Sequence, residues 1–389
     1  MTEQEHNNVQ WRKVKLGEVA KMFTGLTYSP NCIDKSGTLV LRSSNIKDGQ
    51  LCFDDNVFVS MDIPERAIVQ ENDILICVRN GSRNLIGKCA LITKDAVGMA
   101  FGAFMTVLRS NIIDSKLLLY IWQSNSIQKQ VANNIGATIN QITNADFNRF
   151  EISYPADLSA QRRIAAILSS ADKVIAATQK TIAKYKQIKQ GMMEDLLKPK
   201  EGWKMVKLGE VGEIVTGLTY SPSNVCQEGV LVLRSSNIQD DNLYFEDNVY
   251  VDVESFNPVI ENDILICVRN GSRALIGKTA RITKEVEGCA FGAFMLVYRS
   301  NYNDFLYHFF KSDMFFSQVS RNIGATINSI NGSDLKNMEV NIPSDPTEQR
   351  RIAKILSGID AKIAAEEKVL EKYEKVKKGL MERLLEGEN

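Results

Sequence analysis

Gln161-Arg162-Arg163-Ile164-Ala165-Ala166-Ile167-Leu168 opens a stretch that runs to Leu197 with no internal proline, about ten turns at 3.6 residues per turn. Apolar or small residues recur at Ile164, Leu168, Ala171, Ile175, Thr178, Ile182, Tyr185, Met192 and Leu196. Steps of three and four of this kind mark the seam of a coiled coil. The same seam returns as Gln349-Arg350-Arg351-Ile352-Ala353 and continues through Leu356, Ile359, Ile363, Leu370, Tyr373, Leu380 and Leu384. Even its weak point is repeated, because Lys189 and Lys377 occupy the same seam position. The pattern predicts two long helices that pack on each other through Ile164, Leu168, Ile175, Ile182 and Tyr185 against Ile352, Leu356, Ile363, Leu370 and Tyr373. Each follows a globular segment, which suits a spacer between two heads.

The helices are the ends of a longer repeat. Trp11 to Leu197 returns as Trp203 to Leu385. Thr24-Gly25-Leu26-Thr27-Tyr28-Ser29-Pro30 recurs unchanged at Thr216 to Pro222, and Leu41-Arg42-Ser43-Ser44-Asn45-Ile46 at Leu233 to Ile238. Asp73 to Arg83 is copied at Asp263 to Arg273, Phe101 to Met105 at Phe291 to Met295, and Asn134 to Asn140 at Asn322 to Asn328. A unit this long is a domain with its helix, not a solenoid module. The division expected is a head over 1–157, a helix over 158–200, a second head over 201–345 and a second helix over 346–389. Lys198-Pro199-Lys200-Glu201-Gly202 is the natural linker.

Each head reads as mixed but strand-rich, giving an α+β chain. Strands are expected at Thr38 to Leu41, Asn56 to Ser60, Asp73 to Val78, Lys88 to Thr93 and Phe101 to Leu108. Asn80-Gly81 and Asn270-Gly271 read as tight turns with positive φ. One helix is expected over Asp114 to Asn134, capped by Asp114 or Ser115, with its counterpart over Asp304 to Asn322. Gly136 and Gly324 suit helix ends, and Asn140 and Asn328 suit caps of the next element.

Composition limits the chemistry. The 389 residues allow two cores, and 47 basic residues balance 47 acidic ones, so net charge does not argue for nucleic acid while a basic stripe stays possible. No apolar run approaches the roughly 18 residues of a membrane span, and Met1 to Gln10 is polar, so a soluble, cytoplasmic protein is expected. Seven cysteines with no C-x-x-C pair read as buried reduced thiols. The two histidines, His6 and His308, lie in different repeats, which argues against a histidine metal site or triad. Gly271 to Thr279 resembles a phosphate-binding P-loop but has five residues between glycines where the motif has four, and Cys89 stands in the first repeat where Thr279 stands in the second. No other catalytic motif is present, so neither a catalytic residue nor a bound metal is expected.

What the repeats share instead is polar, arginine-bearing turns. Arg79, Asn80, Ser82 and Arg83, with Arg269, Asn270, Ser272 and Arg273, place guanidiniums, amides and hydroxyls on one loop of each head. Arg42, Ser43 and Asn45, with Arg234, Ser235 and Asn237, form a second set. Thr27, Tyr28 and Ser29, with Thr219, Tyr220 and Ser221, add hydroxyls and an aromatic face. Arginine can bridge guanine O6 and N7, asparagine can pair with adenine, and hydroxyls and amides suit phosphate oxygens. Any one loop alone could be an ordinary solvated turn; three kept in both copies make a candidate DNA surface.

Two strand-rich heads, each followed by a Gln-Arg-Arg-Ile-Ala helix and each opening on Gly-Leu-Thr-Tyr-Ser-Pro, resemble the specificity subunit of a type I restriction-modification system. The resemblance covers Trp11 to Leu385. It implies two target recognition domains separated by spacer helices in an antiparallel coiled coil, related by a pseudo-two-fold internal repeat. It also implies a non-catalytic subunit that binds double-stranded DNA and no cofactor. Two methyltransferase subunits would carry S-adenosylmethionine, and restriction subunits would use ATP to translocate and cleave DNA. Similar heads facing opposite ways would read a bipartite target with nearly inverted halves. The rival readings are a DNA-binding scaffold without methyltransferase partners and a nucleotide-dependent enzyme built on Gly271 to Thr279.

Overall fold

The computed structural model describes residues 10–135, 140–323 and 328–386. The described residues of 1–179 and 368–389 form one compact unit, and those of 180–367 form the other. Neither unit is continuous with the order of heads and helices along the chain, because each takes in part of both long helices.

In the first unit, strands build an antiparallel sheet in the order Lys21–Thr24, Met105–Arg109, Ile74–Cys77, Cys89–Leu91, its central strands buried on both faces. Ile33–Leu41 pairs antiparallel with Phe58–Val59 and parallel with Ala100–Phe101. Trp11–Lys15 closes the head against Glu151–Pro155, so that the chain enters and leaves side by side. The second unit repeats this design, with Trp203–Lys207 against Glu339–Pro343 and a sheet ordered Glu213–Thr216, Met295–Arg299, Ile264–Cys267, Thr279–Arg281. The repeated Asp73 is an anchor: it is 1% exposed and receives both Nε and Nη2 of Arg109, at 2.6 and 2.7 Å. Asp263 and Arg299 make the same pair.

Several local expectations change. The strand expected over Phe101 to Leu108 is broken by a turn at Gly102 to Phe104, where the Met105 N–H closes on the Gly102 carbonyl at 2.8 Å. The single helix expected from Asp114 is two, Ser115–Gln123 and Asn125–Asn134, because the Ser124 hydroxyl caps the second. Ser312 divides the counterpart in the same way. Asp114 does cap, accepting from the Lys116 and Leu117 amides. Asn140 does not; Thr143 caps the next helix, Asn144–Arg149, and Asn331 caps Gly332–Asn337. Gly136 and Gly324 lie outside the described residues. All seven cysteines are free, but only Cys77, Cys89 and Cys267 are buried. Burial pushes Cys89 up to about 12 and Cys267 up to about 11, so both are thiols at neutral pH.

The long helices span Leu158–Leu196 and Pro346–Met381. Gln161, the first residue of the repeated motif, is 1% exposed and is a joint: its amide donates to the Pro155 carbonyl at 2.9 Å and its Oε1 accepts from the Asp114 amide at 2.8 Å. Ile164 and Leu168, expected in a helix–helix seam, are core residues of the first head, in one cluster with Leu117, Trp122, Phe147, Leu384 and Leu385. Ile352 and Leu356 likewise join the second head's core, with Phe305, Phe310, Met193 and Leu197. Ile182 and Ile363 are buried. Ile175, Tyr185 and Leu370 are only half-buried, and Tyr373 is 39% exposed, so it does not pack as expected.

The seam lysines find carboxylates. In the second unit Lys189 pairs with Asp360 at 2.7 Å and Lys186 with Glu367 at 2.8 Å, so the two helical segments there run in opposite directions. In the first unit Lys377 pairs with Asp172 at 2.6 Å, while Ile164 and Leu168 share a cluster with Leu384 and Leu385. Each pair is tied to its head by an equivalent residue. The Tyr120 hydroxyl donates to Asp172 at 2.6 Å and lies 3.2 Å from Ser169, and His308 Nε2 lies 3.2 Å from Ser357 with Nδ1 4.0 Å from Asp360.

Candidate nucleic-acid interface

The loop after Leu41 turns through a short 3-10 segment, Ser43–Asn45. Asn45, expected to read bases, is fully buried and folds the loop instead. Its Oδ1 accepts from the Arg42 amide at 2.9 Å, and its Nδ2 donates to the Cys52 and Asp55 carbonyls, each at 3.1 Å. Asn237 does the same with Arg234, Tyr244 and Asp247. Both asparagines are therefore removed from the candidate surface, because a buried amide with its hydrogen bonds made has nothing left to offer a base. Arg42 and Arg234 are partly exposed and held by Asp55 and Asp247, each at 2.9 Å.

Arg79 to Arg83 sits beside that loop. Asn80 is also committed: its Oδ1 accepts from the Ser82 amide at 3.0 Å and its Nδ2 donates to the Ser43 hydroxyl at 3.2 Å, bracing the two loops together. Asn270 repeats the brace with Ser272 and Ser235. Arg83 reaches back to the Ala132 carbonyl at 3.0 Å, and Arg273 to that of Ser320 at 3.5 Å. The positive φ expected at Gly81 and Gly271 is absent; it falls instead at Gly87 and Gly277, while the turn at Gly81 is made by the Asn80 side chain. A Cβ at Gly81 or Gly271 would meet nothing within 4 Å. The fold therefore does not require glycine there, whereas close approach of another molecule would.

Arg79 remains outward. Its guanidinium lies 5.1 Å from the ring centroid of Phe104, and that of Arg269 lies 5.6 Å from Phe294. Among the described residues neither arginine pairs with a carboxylate. The two phenylalanines are 57% and 56% exposed. Sequence reasoning missed both; the signal was the repeated Phe-Gly-Ala-Phe-Met, whose glycine could have marked the turn that throws the second ring outward.

Thr27 and Ser29 are exposed, as are Thr219 and Ser221, while Tyr28 and Tyr220 pack partly against small apolar clusters beneath. In the second head, Thr219, Tyr220, Arg234, Ser235, Ser236 and Phe294 line one groove of 720 Å³. Ser82 and Ser272 are exposed on the adjoining loop. The three loops of that head thus converge, with asparagines bracing them and arginines, hydroxyls and aromatic faces presented.

The P-loop-like segment does not form a P-loop. Gly277 leads into the strand Thr279–Arg281 instead of a helix N-terminus, and Lys278 donates to the Ile238 carbonyl. Among the described residues no group of three or more His, Cys, Asp or Glu could hold a metal ion, and no helix is long and apolar enough to cross a membrane.

A family model described as the type I restriction modification DNA specificity domain matches residues 8–187 and again 200–375. The chain belongs to this family, whose members are the DNA-recognising specificity subunits of type I restriction-modification systems. It is 26% identical over 352 residues to the type I restriction enzyme MjaVIII specificity subunit of Methanocaldococcus jannaschii, covering 82% of this chain and 80% of that one. It is 29% identical over 199 residues to the EcoKI specificity subunit of Escherichia coli, which covers 48% of this chain and 42% of that one. In fold it resembles the type I restriction-modification S subunit from M. genitalium, with a TM-score of 0.60, 17% identity and 97% of each chain covered. A chain solved in work on complex assembly and conformational transition of the type I R-M system gives 0.59 at 19% identity, covering 97% of this chain and 98% of that one.

Proposed function

We propose that each head reads one half of a bipartite DNA target and that the chain holds two methyltransferase subunits, and with them restriction subunits, at that target. The observation that carries the reading is the outward pair Arg79 and Arg269, each set beside an exposed aromatic ring and exposed hydroxyls in a loop whose folding needs are met by asparagines. Arg79, Ser82, Thr27, Tyr28 and Ser29, with Arg269, Ser272, Thr219, Tyr220 and Ser221, make the contacts. Arg42, Ser43, Arg83 and their copies support them, with Arg234 and Ser235 in the groove wall of the second head. The chain itself carries out no catalysis and binds neither S-adenosylmethionine nor ATP, which belong to the partners, and it works in the cytoplasm.

The spacer is an antiparallel coiled coil with a pseudo-two-fold axis. Opposed helical segments within the second unit and the matching strand registers of the two heads support this. The two half-sites are then nearly inverted copies. Single-molecule methylation sequencing of the host genome tests the proposal, with expected loss of the modified motif in an Arg79→Ala/Arg269→Ala strain. Two unrelated half-sites would remove the symmetry, and an unchanged methylome in the variant would remove the arginines. Copurification with a methyltransferase separates this reading from a scaffold that acts alone.

A further inference from the structure

Phe104 and Phe294 are more than half exposed. Their neighbours Phe101, Met105, Phe291 and Met295 fill the core, while these two rings stand in solvent at the tip of a four-residue turn. The turn is rigid. The Phe104 carbonyl accepts from both the Val78 and Arg79 amides, at 3.0 and 3.2 Å, and the Phe294 carbonyl accepts from Val268 and Arg269 at the same distances. The guanidinium at one side of each ring fixes its orientation through the ring quadrupole. A single exposed apolar residue is unremarkable in general, but this one recurs at the same turn of both heads, pinned in the same way, and each time with a cation beside it.

A flat apolar face alongside a guanidinium suits a nucleobase, because bases stack on both groups without regard to sequence. An intact duplex offers no free base face, so the ring must enter an opened step or receive an extruded base. The surroundings leave room for this approach. Gly81 and Gly271 face empty space beside each stack, and in the second head Phe294 forms one wall of the 720 Å³ groove with Tyr220 and the hydroxyls of Thr219, Ser235 and Ser236.

We infer that Phe104 and Phe294 are stacking wedges that open one base step in each half-site. The inference rests on the reading of the heads as DNA-recognition domains and adds that recognition distorts the duplex at a defined position. It assigns Arg79 and Arg269 a second task, holding the wedge in its inserting orientation.

The test uses the full chain co-expressed with its methyltransferase, bound to duplexes carrying 2-aminopurine at successive positions of the target found by methylation sequencing. The expected result is a fluorescence rise of at least about twofold at one step per half-site other than the methylated base, which the methyltransferase itself extrudes. Phe104→Ala should abolish the rise in one half-site and Phe294→Ala in the other, with affinity falling on the order of tenfold. Tryptophan at either position should retain the rise, and a mismatch at the opened step should restore binding to the alanine variants. Equal melting temperatures of the free variants show that folding is unaffected. Normal target binding with no rise away from the methylated base, or a rise at that other step that persists in the Phe104→Ala/Phe294→Ala double variant, overturns the wedge alone. Failure of the wild-type complex to prefer its target over a scrambled duplex overturns the underlying reading as well.

Discussion

Lys189 Nζ lies 2.7 Å from Asp360 Oδ1, at the one seam position where the apolar pattern of the long helix gives way. The lysine side chain is 17% exposed and the aspartate 29%, so the pair is substantially withdrawn from water. Lys189→Leu would complete an apolar stripe yet leave Asp360 without its cation. Stability is expected to fall by about 1–3 kcal/mol, and Lys189→Leu with Asp360→Leu should recover much of that loss, since breaking a buried pair costs more than replacing it whole. Urea melts of the two variants decide this; a single variant as stable as wild type would show that the pair contributes nothing.

His308 shares that carboxylate and gives the second unit an acid sensitivity. Burial lowers its pKa to about 4, against the opposing pull of Asp360 and with help from nearby Lys311, Lys189 and Arg281. A depressed folded-state pKa means stability that is complete above the unfolded value near about 6.5 and is lost as pH falls toward about 4. The loss should reach at most about 3 kcal/mol. Tyr120 holds the equivalent place in the first head, so His308→Tyr should flatten the acid limb of thermal stability between those values. An unaltered acid limb would place the sensitivity elsewhere.

Asparagine and arginine in the repeated loops should separate cleanly. Asn45→Ala strips partners from the Arg42 amide and the Cys52 and Asp55 carbonyls and should cost about 2–4 kcal/mol of stability. Arg79→Ala should leave melting unchanged while weakening DNA binding and making the salt slope shallower by about 1 if the side chain also meets phosphate. Salt titrations of binding, run beside thermal melts, read both effects. The reverse pattern would exchange the two roles.

The first long helix, with 39 residues, spans about 58 Å at roughly 1.5 Å per residue, comparable to about 17 base pairs at roughly 3.4 Å each. Seven residues added to each helix, two turns that keep the seam in phase, should lengthen the unread gap of the target by about 3 base pairs without changing the bases read. Methylation sequencing measures the gap directly, and an unchanged gap counts against the helices as a ruler.

Much of the architecture was legible because the chain states it twice: matched loops located the turns, and seam spacing located the helices. What failed was the assignment of polar side chains to outside or inside. Asn45 and Asn80 have the chemistry of base readers, yet the same amide geometry makes them good loop braces, and only burial distinguishes the two uses. Serine hydroxyls that start a second helix, at Ser124 and Ser312, left the apolar period intact and so were invisible to it. Phe104 was hidden for a related reason: a single outward residue within an apolar run looks like core until the turn at Gly102 is known.

Leu384 and Leu385 complete the core of the first head, and Met193 and Leu197 that of the second. Leu197 and Leu385 are the same residue of the repeat, a plug whose socket lies in the other copy's head. A half-length chain with one head and one helix would possess both plug and socket, yet its own plug would be a whole helix away. Each head's core is thus closed by a helix end that belongs to the other copy of the repeat. Neither copy of the repeat therefore carries a complete core of its own.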